Sequence, residues 1–121
     1  MNLLTNTERE QLLANGRAQR ERIRQDGDTL DFQPVVKFFT PDAGATWLLT
    51  ELDPEDPDIA FGLCDLGLGL GCPELGYVRL SEIESLRGPL GLPVERDLYY
   101  EADQPISGYA TAARDRGRIV T

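Results

Sequence analysis

Three observations predict an α+β fold with a largely antiparallel, meandering sheet of about five strands, helices at both ends and one short helix before the last strand. Apolar runs of period two between residues 35 and 80 are separated by turns rich in Pro, Gly and Asp. A capping signal at Thr5 opens the first element, and a frame from Pro105 to Gly117 encloses the last. The 121 residues, 40% hydrophobic and 27% charged, suit a single acidic domain spanning 1–121, in which 1–30 form an N-terminal helix and arginine-rich arm.

Thr5 followed by Glu8 fits a capping box and starts a helix that runs from about residue 6 towards 15, burying Leu12 or Leu13 with Leu3 and Leu4. Asn15-Gly16 reads as its stop, although Ile23 lies three turns beyond Leu12 and permits continuation. Arg17, Arg20, Arg22 and Arg24 follow. They suit an arm for a phosphate backbone, a contact with the chain's own acidic segment, or a solvated helix face.

Residues 35–39 form the first strand, closed by the turn at Pro41 to Gly44. The second strand, 47–52, alternates Leu48 and Leu52 on one face with Trp47 and Leu49 on the other, as expected of a central strand covered on both sides. Two prolines and four carboxylates make 53–58 an exposed loop. In the third strand, 59–63, a small-residue face of Ala60, Gly62 and Cys64 allows close approach. Gly67, Gly69 and Gly71 alternate with leucines as a hairpin extension or an irregular loop. Residues 75–80 form a fourth strand, Ser81 with Glu84 caps a short helix through Leu86, 94–100 form a fifth strand, and a last helix ends at Gly117.

The net charge of -9 is concentrated: residues 38–78 contain no Lys or Arg and eight carboxylates. A field of that sign disfavours direct nucleic-acid binding and anionic lipid, and favours a protein partner with a basic surface. There is no histidine, which excludes His-based triads, His-ligated zinc and a His pH switch. No stretch reaches the length of an apolar membrane span and the N-terminus has no signal-like pattern, so a cytoplasmic chain with reduced Cys64 and Cys72 is expected.

Five carboxylates, Glu51, Asp53, Glu55, Asp56 and Asp58, form the densest constellation. Their spacing lacks the glycine and terminal glutamate of an EF-hand, so an electronegative contact surface is expected and neither a metal nor a cofactor is. Neutralising the four loop members is expected to cost little stability, because exposed like charges repel. Asp65 and Glu74 flank the glycine-rich connection and would face one another if it is a hairpin. With Glu51 they are the candidate catalytic carboxylates, given desolvation of one member. The Gly-Leu repeat is no phosphate loop, since neither a helix nor a lysine follows it.

The stretches 39–51 (FTPDAGATWLLTE), 61–67 (FGLCDLG) and 73–78 (PELGYV) resemble a family of short bacterial proteins of unknown function. Its members are often encoded on plasmids and integrative elements near genes for antirestriction and plasmid maintenance. The resemblance spans nearly the whole chain and implies no established activity, so it assigns no functional residue. Jointly, residues and resemblance lead to the expectation of a non-enzymatic accessory protein of a mobile element. It would act through Glu51, Asp53, Glu55, Asp56 and Asp58 as a nucleic-acid-mimicking decoy for a defence or plasmid-processing protein. The alternative is a small carboxylate enzyme, with or without the assistance of a metal, built on Asp65, Glu74 and Glu51.

Overall fold

The computed structural model describes residues 3–67 and 73–121. Its elements are α1 (Asn6–Asp26), β1 (Val36–Phe39), β2 (Thr46–Leu52), β3 (Ile59–Asp65), β4 (Glu74–Arg79), α2 (Leu80–Ser85), β5 (Glu95–Arg96) and α3 (Ile106–Arg116). The five strands form one antiparallel sheet in the order β4-β3-β2-β1-β5, and the α+β class expected from the sequence holds. Cys72 and most of the Gly-Leu repeat, including Gly69 and Gly71, lie outside the described residues.

The capping box at the start of α1 is formed as the sequence predicts. The Glu8 amide donates to the Thr5 hydroxyl at 3.1 Å and the Thr5 amide to the Glu8 carboxylate at 2.9 Å. The expected stop at Asn15-Gly16 is absent: α1 continues to Asp26 and ends at Gly27, whose φ of 74° supplies the left-handed cap. Asn15 and Gly16 instead dock the helix on the sheet. A Cβ at position 16 would stand 1.8 Å from the Leu52 carbonyl oxygen, so only glycine permits this approach. The Asn15 side-chain amide donates to the Thr50 carbonyl at 2.9 Å.

That carbonyl sits at a β-bulge. Leu49 pairs with Gly62 and Glu51 with Phe61, leaving Thr50 as the extra residue of β2. The bulge inverts the facing of everything after it. Leu52 therefore joins Trp47 and Leu49 on the face covered by α1 and α2, and does not share a face with Leu48 as strict alternation requires. Phe38, Trp47, Leu12, Leu49, Leu52 and Ile83 are all buried in this larger core, each contributing about 1.5–3 kcal/mol of transfer free energy. On the opposite face, α3 lays Ile106, Tyr109 and Ala113 over Leu48 and Leu63, so the sheet is covered on both sides as expected.

Two further sequence expectations are corrected. The fifth strand extends over only two residues, because the Asp97 carboxylate accepts the Tyr99 amide at 3.0 Å and turns the chain away from β1. The Ser81–Glu84 capping box does not form. Helix α2 starts two residues earlier, with Arg79 as N-cap and Leu80 as its first residue, and its first turn is satisfied from a distant loop by Asp58. No helix among the described residues is long and apolar enough to cross a membrane.

Candidate functional site

The loop joining β2 to β3 is held by its own acids. The Asp53 carboxylate accepts the Glu55 amide at 2.9 Å, and backbone bonds from Ile59 to Asp56 and from Asp53 to Ile59 close the hairpin. Two arginines from other elements reach in. Arg20 on α1 pairs with Asp53 at 2.9 Å and Glu55 at 2.8 Å, and Arg79 at the end of β4 pairs with Asp56 at 3.3 Å and Asp58 at 3.5 Å. Of the three sequence readings of the arginine arm, contact with the acidic segment therefore holds for Arg20. Arg22 pairs with Asp26 and Asp28, and Arg24 with Glu21, within and just beyond the helix.

Asp58 has a second task. Its carboxylate accepts the Ser81 hydroxyl at 2.7 Å and the Ser81 amide at 2.9 Å. The Ser81 hydroxyl bond is the main reason that its pKa falls below the ordinary aspartate range, with the Ser81 amide and Arg79 acting in the same direction. The four loop carboxylates differ in their local bonds: Asp58 caps α2 and Asp53 shapes the turn. Exposed ion pairs of this kind contribute little to stability. Electrostatically, the four carboxylates between 53 and 58 are met by two guanidinium groups, so this corner of the sheet stays negative.

Glu51 stands apart from the other four. Because of the bulge it points to the α3 face, in one cross-strand row with Phe61 of β3 and Tyr77 of β4. The two rings meet edge to face, with centroids 5.1 Å apart and planes at 61°. Around this row lies a groove of about 420 Å³, walled by Gln19 and Ile23 of α1, the chain at 29–31, and Ile106 and Ser107 of α3. Gln19 ties the wall together. Its amide nitrogen donates to Glu51 Oε1 at 3.2 Å and to the Leu30 carbonyl at 3.1 Å, and its oxygen accepts the Leu30 amide at 2.7 Å. Burial pushes the Glu51 carboxyl above the ordinary glutamate range, while hydrogen bonds from Gln19 and Thr50 pull it partly back.

The three candidate catalytic carboxylates do not converge. Asp65 pairs with Thr46, five residues along β2 from Glu51, a separation of about 16 Å at the rise of a strand. Buried Asp65 accepts the Gly67 amide at 2.9 Å and the Ile119 amide at 3.1 Å, which fastens the C-terminal segment to the end of β3. Glu74 pairs with Cys64, not Asp65, and is exposed. Cys64 is a free thiol pushed up to about 11 by burial, which keeps it protonated and unreactive. No group of three or more Cys, Asp or Glu side chains among the described residues is placed to hold a metal ion.

Sequence reasoning singled out Glu51 but missed Gln19, Phe61 and Tyr77. The available signal was the face shared by Gly16, Gln19 and Ile23 along a longer helix, together with the parity that aligns Phe61 with Tyr77.

A family model described as a protein of unknown function (DUF2958) matches residues 3–120. No curated protein and no solved structure matches.

Proposed function

The chain belongs to the DUF2958 family of proteins of unknown function, and from that premise we propose that it acts by protein contact, presenting an acidic surface to a partner with a basic one. The observation that carries this reading is the charge layout. All of residues 38–78 lack a cation, and among the described residues the four loop carboxylates at one corner of the sheet pair with two arginines from outside that stretch. Proteins that grip nucleic acid offer a complementary surface, so the chain would occupy such a surface as a decoy. In this reading it works in the cytoplasm as an accessory protein of a mobile element, and its partner belongs to defence or plasmid processing. The carboxylate-enzyme alternative draws less support, since Asp65 pairs with Thr46, far along β2 from Glu51, and Glu74 pairs with Cys64.

The test is capture from a lysate of the native host, followed by association kinetics with the captured partner. Glu55→Gln with Asp56→Asn removes two loop charges, keeps an amide oxygen at 56 to accept the Asp58 amide, and spares Asp53 and Asp58, which hold the turn and α2. The double variant is expected to associate several-fold more slowly at about 0.1 M salt and to differ little from the parent at about 0.5 M. Equal rates at both concentrations reject the acidic loop as the steering surface.

A further inference from the structure

The groove beside Glu51 differs chemically from the loop. Glu51, Phe61 and Tyr77 lie directly opposite one another on three neighbouring strands, so a carboxylate stands at the inner end of an aromatic track that runs towards the edge of the sheet. Tyr77 is 76% exposed and Leu75 beside it 45% exposed, which leaves the outer end open and apolar. Arg20, one residue on from Gln19, turns its guanidinium to Asp53 and Glu55. An aromatic floor ending in a carboxylate is the arrangement that recognises an organic cation on an aliphatic stem. Ring faces attract the charge and the stem, and the carboxylate accepts a charge-assisted hydrogen bond.

Dimensions narrow the cation. Two strand spacings separate the backbone at Tyr77 from that at Glu51, about 10 Å. An extended arginine covers about 7 Å from Cα to guanidinium, and the glutamate side chain supplies the rest. A guanidinium also stacks on an aromatic ring, which an ammonium cannot do. We propose that the groove between α1, α3 and the β3–β4 face receives an arginine side chain of the protein partner, with its backbone over Tyr77, its stem across Phe61 and its guanidinium on the Glu51 carboxylate. This assignment rests on the protein-contact reading and adds a specific anchor to it. The loop sets how fast a basic partner arrives, and the groove sets which residue holds it.

The experiment uses the full chain, isotope-labelled, titrated with a capped pentapeptide bearing one central arginine between glycines and serines, and with its uncharged citrulline twin. The arginine peptide is expected to shift the amide resonances of Glu51, Phe61 and Tyr77, and to bind at least about fivefold more tightly than the citrulline peptide. Glu51→Gln and Tyr77→Ala should each weaken binding by a similar factor, while Glu55→Gln with Asp56→Asn leaves the groove shifts in place. Equal binding of the two peptides, shifts confined to other surfaces, or no shift at about 10 mM peptide overturns the proposal. A partner whose association rate depends on the loop but whose capture ignores both groove variants refutes the anchor and leaves the contact reading standing.

Discussion

At Glu51 a carboxylate half-buried beside two aromatic rings is unfavourable for folding while it is ionised. Burial raises its pKa, so between the unfolded value and the raised one the folded chain binds more protons than the unfolded chain. The Glu51 contribution to stability therefore falls as pH rises through that window and is least favourable above it. Arg20 lines one hollow beside Glu51 and Asp31 the other. Glu51→Gln keeps the shape and the acceptor for Gln19 and removes the charge. The variant is expected to melt a few degrees above the parent at pH 7, with the difference gone below about pH 4. An equal or lower melting temperature at pH 7 would show that the charge is no burden to the fold. In the sequence Glu51 is one of five acids in close succession, and only the extra residue in β2 distinguishes it from Asp53. A bulge is set by pairing with β3, which local pattern does not report.

Among the elements, α1 shows most clearly where local signals stop. Thr5, Glu8 and Gly117 were legible because capping is decided within one helical turn. Asn15-Gly16 carries a stop signal that the fold overrides, because its partners, the carbonyls of Thr50 and Leu52, are far away in the chain. Replacing glycine by alanine inside a helix ordinarily gains about 1 kcal/mol. At Gly16 the sign should reverse, since the new Cβ would press on the Leu52 carbonyl from 1.8 Å. Gly16→Ala is expected to lose roughly 1–3 kcal/mol in urea unfolding, in the range of overpacked cores. Gly76→Ala on β4, where nothing lies within 4 Å of a new Cβ, is the control and should hold its stability. A Gly16→Ala protein as stable as the parent would mean that α1 does not depend on this close contact. The same distinction explains the strands. Four came from alternation along the chain, whereas β5 owes its brevity to the turn made by Asp97, which competes with pairing.

For the whole molecule, the concentration of negative charge was legible because charge adds along a sequence whatever the fold. Its partial neutralisation by Arg20 and Arg79 was not, because both arrive from outside the acidic stretch. The strand order has a consequence for how the chain comes together. From β4 to β1 the sheet is the chain read backwards, so each of these strands meets its partner across one short connection. β5 must instead return from Glu95 to Phe39 on the far side, and α3 follows it in the chain. Closing that long loop comes at an entropic cost the hairpins do not bear. β5 and α3 should then form a cooperative unit of their own, the last to assemble and the first to open. Native-state hydrogen exchange is expected to give the α3 amides a lower opening free energy than those of β2 and β3, and uniform protection at the global value would show a single unit. Ile106 and Ser107, one wall of the groove, belong to that late unit. Opening of that unit would remove one wall of the groove while β1 to β4 stay paired, and substitutions in the last quarter of the chain would loosen the hold on a bound side chain before they loosen the rest of the fold.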